Sequence, residues 1–371
     1  MANHRIQINR WLYPLSWLYG MGVRFRNKLF DWKIFRSESF GIPVINVGNL
    51  AVGGTGKTPH IEYLVKILKS NNAVATLSRG YKRKTSGYVV ADSTSTARTI
   101  GDEPFQIKSK FPEITVVVDE KRVRGIENLM KRKDPAVDVV LLDDAFQHRH
   151  VEPGMNILLT DYNRLFCEDT LLPAGRLREP VKGKNRAHIV IVTKCPDTIK
   201  PFDFNIAAKC LNLYPYQQLY FSRIKYGELT PVFKEMNVRE RTLEQLTRKE
   251  NILLITGIVS TDDMKKKIRR NNRNIHHLSF ADHHNFSHKD IKLITDKYNQ
   301  LKLLKEEVII ITTEKDAARF VSLKGLSDEL KEQMYALPIE IEILQDKQDI
   351  FNQNITDYVR KNKRNSLLDK K

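Results

Sequence analysis

Residues 42–59 read Ile42-Pro43-Val44-Ile45-Asn46-Val47-Gly48-Asn49-Leu50-Ala51-Val52-Gly53-Gly54-Thr55-Gly56-Lys57-Thr58-Pro59: a short β-branched run, a glycine-rich turn, then Gly-Lys-Thr. A tight turn between a strand and a helix leaves backbone N–H groups pointing inward, and glycines let that backbone wrap a phosphate without Cβ clashes. Ala51, Val52, Gly53, Gly54, Thr55, Gly56, Lys57 and Thr58 are therefore expected to bind a nucleoside triphosphate. Lys57 would reach the β- and γ-phosphates, and the Thr58 hydroxyl would hold Mg²⁺. The usual first glycine of this pattern is Ala51, while Gly53 and Gly54 keep the loop pliable. The apolar-periodic run Ile61, Leu64, Val65 and Leu68 supplies the helix that must follow.

Outward from this loop, strand-like runs alternate with helical segments: Ile42–Val47, Ala73–Leu77, Thr115–Val118, Val137–Leu142, Ile157–Thr160 and Ile189–Thr193. That rhythm predicts an α/β fold, P-loop NTPase-like, with a doubly wound, mainly parallel sheet whose ligands sit at the carboxyl ends of strands. Around 214–233 the composition shifts to aromatics with Pro and Gly, which predicts an extended two-strand linker to a second, smaller α/β domain. Ile252–Thr256, Val308–Thr312 and Ile339–Ile343 are its expected strands, and Ser287–Gln300 an expected helix. The expected divisions are 1–40 for an N-terminal amphipathic region, 41–205 for the phosphate-loop domain, 206–348 for the smaller domain with its linker strands, and 349–371 for a closing helix and basic tail.

Several polar clusters fall where such a fold would use them. Val137–Leu142 ends in Asp143-Asp144, the expected partner of a phosphate loop, because an aspartate there can hold Mg²⁺ while it bridges phosphate oxygens. Ala145-Phe146-Gln147-His148-Arg149-His150 follows with many hydrogen-bonding groups. Gly101-Asp102-Glu103-Pro104 offers two adjacent carboxylates before a helix, suited to one metal ligand and one proton acceptor, and equally to a helix start. Ser78-Arg79-Gly80-Tyr81-Lys82-Arg83 could bring charge and a ring to an anionic substrate, or form a basic turn. Leu172-Pro173-Ala174-Gly175-Arg176-Leu177-Arg178-Glu179-Pro180 has the composition of a mobile lid carrying arginines. Asp282-His283-His284 places imidazoles beside a carboxylate, without a third ligand at zinc spacing.

The chain has 371 residues and a formal net charge of +18, so its partners are expected to be anionic. Its three cysteines, Cys167, Cys195 and Cys210, sit in no ligand spacing and argue against a disulfide framework and for a reducing compartment. Near the N-terminus Trp11, Leu15, Trp17, Leu18, Tyr19, Met21 and Phe25 are interleaved with Arg10, Arg24, Arg26 and Lys28. The uncharged stretch Trp11–Val23 is shorter than the ~20 apolar residues a spanning helix needs. It suits either a helix lying in a membrane surface or an ordinary amphipathic helix packed on the domain.

Taken together and in this order, these segments resemble the tetraacyldisaccharide 4'-kinases, the lipid A 4'-kinase family. The resemblance extends to Thr313-Glu314-Lys315-Asp316. Ala145 and Arg176 depart from its usual residues without removing a catalytic role. It implies ATP- and Mg²⁺-dependent phosphorylation of the 4'-hydroxyl of a tetraacylated glucosamine disaccharide 1-phosphate at the cytoplasmic face of the inner membrane. It further implies Asp102 as base, supported by His283; Lys57 and Arg178 on the phosphates; Thr58, Glu103, Asp143 and Asp144 around Mg²⁺; and Asn49, Tyr81, Gln147 and His148 near the substrate. No nucleic acid and no protein partner are implied. Two other classes compete: a P-loop GTPase or regulatory ATPase, faintly suggested by Thr193-Lys194-Cys195-Pro196, and a nucleic-acid-binding ATPase, favoured by charge alone.

Overall fold

Val44–Asn49 is buried along its whole length, as the middle strand of a sheet covered on both faces must be. The computed structural model describes residues 8–368 except 237, 258–260, 283, 285, 305, 306 and 322. Helix α1 (Tyr13–Asp31) precedes β1 (Val44–Asn49), α2 (Lys57–Leu68), β2 (Val74–Ser78) and the short β3 (Val89–Val90). There follow α3 (Ala97–Ile100), α4 (Asp102–Lys110), β4 (Thr115–Val118), α5 (Arg122–Lys131), β5 (Val139–Asp143), β6 (Met155–Asp161), β7 (Ile189–Thr193) and α6 (Pro201–Leu211). β8 (Gln218–Tyr226) leads out to β9 (Thr230–Pro231), β10 (Asn251–Thr256), α7 (Asp262–Arg269), β11 (Ile275–Ser279) and α8 (His288–Lys302). Then come β12 (Val308–Thr313), α9 (Glu314–Val321), α10 (Asp328–Glu332), β13 (Met334–Leu337), β14 (Ile339–Ile343) and α11 (Gln348–Leu368).

The larger sheet has nine strands in the order β14-β8-β7-β6-β1-β5-β2-β4-β3, parallel except at its two edges, where β14 pairs antiparallel with β8 and β3 with β4. The smaller has five in the order β11-β10-β12-β13-β9, parallel except for β9 against β13. Two expectations change here. Ile339–Ile343, read as a strand of the smaller domain, belongs to the large sheet, and β8, read as linker, is its neighbour there. Alternating Ile and Glu made this strand legible, but register against β8 is a tertiary fact that local pattern does not carry. The closing helix α11 packs Phe351, Ile355 and Val359 into the same core as Ile45, Ile61 and Leu64.

A third expectation also changes. Cys167 and Cys210, 43 residues apart, form a disulfide that ties the segment after β6 to α6, while Cys195 is a buried free thiol. Sparse cysteine spacing does not reveal a pair brought together only by the fold, and the cysteine argument for a reducing compartment lapses with it.

Candidate active site

β1 sits where the strand order reverses, between β5 and β6, the crevice in which doubly wound sheets bind ligands. The chain enters α2 through Gly56 at φ 83, a left-handed conformation that strains any side chain. α2 has no side-chain cap and no acidic residue in its first turn. Its orphan N–H groups and positive dipole end therefore meet nothing negative from that turn, which is the condition for holding an anion. Asn49 is fully buried beneath the loop; its Nδ2 donates to Thr55 Oγ1 at 2.9 Å, and its carbonyl accepts from Gln147 Nε2 at 2.8 Å. Asn49 thus braces the loop rather than standing exposed to a substrate. His60 bridges Gly56 O at 2.7 Å and Ser222 Oγ at 3.0 Å, and burial pushes its imidazole down to about 4, so it is neutral.

The start of the loop is engaged differently from expectation. Ala51 bridges Leu177, the Val52 N–H donates to Arg176 O at 2.7 Å, and the Arg178 N–H donates to Leu50 O at 2.7 Å. The segment read as a mobile lid is stitched to the phosphate loop on one side and to α1 on the other. Ser16 Oγ donates to Leu171 O at 3.0 Å and accepts from the Ala174 N–H at 2.9 Å, and Tyr19 OH donates to Arg178 O at 2.8 Å. Pro and Gly bounded this loop in the sequence, but its backbone bonds to distant segments were not legible there.

β5 delivers the carboxylates. Asp143 is buried, its Oδ1 has no hydrogen-bond partner among the described residues, and burial, reinforced by Asp144, pushes its carboxyl up to about 7 while Lys57 opposes. Asp144, at φ 52, turns to Arg178 Nη1 at 3.2 Å and Lys57 Nζ at 3.7 Å. Sequence reasoning missed Arg122, a buried guanidinium at the head of α5 that donates to the carbonyls of Asp119 and Glu120. Burial and then Arg79 pull it down to about 10. Its place just beyond the carboxyl end of β4 was the signal available. Half-buried His148 is pushed down to about 4 by burial and then by Arg122.

These groups share a cleft of about 2380 Å³ lined by Gly53–Thr58, Tyr81, Glu103, Asp143, Asp144, Gln147, His148 and Arg178, and by Asp282 and Lys315 from the smaller sheet. Asp102 heads α4 beside the cleft with its carboxylate on Arg319, and Glu103 faces Lys315 Nζ at 3.1 Å. His283 lies outside the described residues. Among the described residues no three His, Cys, Asp or Glu side chains are arranged to hold a metal ion. The ion pairs of Glu103 and Asp144 turn those carboxylates toward cations instead. Mg²⁺ needs only one or two protein carboxylates beside phosphate oxygens and water, and the partnerless Asp143 Oδ1 is an acceptor of that kind.

A family model described as tetraacyldisaccharide-1-P 4'-kinase matches residues 8–360. The chain is 60% identical over 372 residues to a tetraacyldisaccharide 4'-kinase of Bacteroides thetaiotaomicron, covering 99% of this chain and 97% of that one. To one of Porphyromonas gingivalis strain W83 it is 44% identical over 348 residues, covering 93% and 96%. The fold matches the crystal structure of "apo" form LpxK from Aquifex aeolicus in complex with ATP, with a TM-score of 0.70 and 28% identity over 94% of this chain and 98% of that one.

Proposed function

The chain belongs to the tetraacyldisaccharide-1-P 4'-kinase family, and from that premise we propose how its cleft phosphorylates the 4'-hydroxyl of a tetraacylated glucosamine disaccharide 1-phosphate with ATP, a late step of lipid A biosynthesis. The observation that carries the reading is the unanswered N-terminus of α2, with Lys57 beside it and a buried, partnerless Asp143 oxygen across the cleft. Phosphoryl transfer asks a protein mainly to position groups and answer charge. Gly53–Thr58 and Lys57 hold the β- and γ-phosphates, and Arg178 leaves Asp144 to meet charge on the transferring group. Asp102 accepts the proton of the sugar hydroxyl, with His283 as its support. Tyr81, Gln147 and His148 face the lipid's head. Thr58 and Asp143 would hold Mg²⁺, joined by Glu103 and Asp144 once Lys315, Arg178 and Lys57 turn from those carboxylates, and the ion would supply neutralisation of phosphate charge.

No helix among the described residues is long and apolar enough to cross a membrane. We place the protein on the cytoplasmic face of the inner membrane, held by α1. Trp17, Leu18 and Phe25 are 60, 55 and 61% exposed, and Trp11 is 92% exposed. Rings and aliphatic chains so displayed, flanked by Arg24 and Lys28, suit headgroup depth.

The test is transfer of ³²P from γ-labelled ATP to the tetraacyl disaccharide 1-phosphate in detergent micelles, with Lys57→Ala as control. The expected result is a labelled bis-phosphorylated lipid that the control loses. Nucleotide hydrolysis with no lipid product, or hydrolysis stimulated by DNA or RNA, would overturn the reading.

A further inference from the structure

One contact between the two sheets' layers is made by the helices α4 and α9, and it is built from charge. Lys110 Nζ, at the tail of α4, donates to Glu314 at 2.6 Å and to Glu62 of α2 at 2.7 Å. Lys315 Nζ lies 3.1 Å from Glu103 and 3.6 Å from Asp282. Deepest of the three is Arg319, its side chain 5% exposed, with Nη2 donating to Asp102 Oδ2 at 2.5 Å and Nη1 to Asp316 Oδ1 at 2.7 Å. Asp316 is fully buried and fixed in turn, because its Oδ2 accepts from the Gly257 N–H and from Thr313 Oγ1, both at 2.8 Å. The guanidinium therefore has one address. Rotating it away would strand the buried Asp316 without its cation.

We infer that Arg319 is a positioning residue for the phosphoryl transfer, reaching from α9 across the domain contact to fix the Asp102 carboxylate in the orientation that accepts the sugar's proton. The inference rests on the proposed role of Asp102. The backbone before that residue is Gly101 at φ 95, so the carboxylate projects from the first helical residue after a turn. A planar guanidinium anchored at its other nitrogen holds the carboxylate in a defined direction, which a flexible ammonium would do less well. A buried ion pair contributes little net stability against apolar packing of the same volume, but it does impose geometry. Because the two partners come from helices of different layers, this pair forms when α4 and α9 are in contact. Glu103, Lys315 and Asp282 complete the charged surroundings at this end of the interface.

The test compares steady-state lipid phosphorylation by the full-length protein and its Asp102→Asn, Arg319→Ala, Arg319→Lys and Asp102→Asn/Arg319→Ala variants. Misplacing a reacting group by about 1 Å costs on the order of 10²-fold in rate, so Arg319→Ala should lose about that factor in kcat with KM for ATP within about threefold. Arg319→Lys should recover part of the loss, and the double variant should be no slower than Asp102→Asn, because residues acting as a unit are not additive. A multiplied loss in the double variant, or a KM rise for ATP equal to the fall in kcat, would overturn the inference. A crippled Asp102→Asn beside an unimpaired Arg319→Ala overturns it alone, whereas wild-type turnover by Asp102→Asn removes the role of Asp102 as well. Should Arg319→Ala fail to fold, Arg319→Lys decides: wild-type kcat overturns the inference, and a loss of about tenfold at unchanged KM upholds it.

Discussion

Asp143 shows how a single side chain records the function of its site in its energetics. Its carboxyl titrates at about 7 rather than near the ordinary value of 3.8, because burial and Asp144 disfavour the charge. Between those values the folded chain holds a proton that the unfolded chain has lost, so this residue's contribution to stability falls as pH rises from about 4 through 7. Asp143→Asn should therefore raise the melting temperature of the nucleotide-free, Mg²⁺-free protein by a few degrees at pH 8 and leave it unchanged below pH 4, while abolishing lipid phosphorylation. Calorimetry at both pH values checks this, and an equal shift at the two would mean that the gain has nothing to do with the charge. The aspartate pair was legible from the sequence because it ends an apolar strand; Arg319 was not, since Asp102 lies 217 residues away in the chain, and Arg122 was not, since its bonds run to nearby backbone carbonyls that no side-chain pattern marks.

Among the elements, α2 is joined to β8 through an imidazole. His60 is neutral in the fold because burial holds it down to about 4, below the usual 6.5. Protonation is therefore easier in the unfolded chain, and the stability this group contributes is complete above pH 6.5 and lost as pH falls toward 4. His60→Gln, which keeps a donor and an acceptor, should flatten the acid limb of a melting-temperature profile; an unchanged limb would assign that limb to other groups, His148 first among them. Helix α1 divides its labour by face. Ser16, Tyr19, Arg26 and Asn27 dock it on residues 147–179, while Trp17 and Phe25 stay exposed. Trp17→Glu/Phe25→Glu should cut binding to anionic vesicles about tenfold or more, with transfer to micellar lipid lowered less than about threefold. Equal retention on vesicles would leave α1 as a packing helix. Its amphipathic composition was readable in the sequence, but which face docks depends on small residues: a Cβ on Gly20 would lie 2.7 Å from Leu171.

At the scale of the whole molecule, the doubly wound sheet was readable because its central strands are uniformly apolar and follow one another through helices. Thr115–Val118 and Ile189–Thr193 have the same bounds in the sequence reading and in the structure. The strands that escaped were β3, β11 and β13, short or half-exposed pieces whose strand character is conferred by a neighbour, while β8 and β9 fell in the stretch read as extended linker strands. What sequence pattern conveyed least was closure: the chain leaves the large sheet at β8, builds the smaller sheet, and returns at β14 to pair with the strand it left.

That return has a consequence for how the protein is made. A ribosome releases the phosphate loop and its carboxylates early, yet the edge of β8 stays open and the core lacks Phe351, Ile355 and Val359 until the last segment emerges. A chain broken off between β8 and β14 carries the whole phosphate loop but leaves the edge of β8 unpaired. The order of synthesis thereby makes the pairing of β14 with β8 and the docking of α11 the late steps that seal the sheet carrying the nucleotide loop.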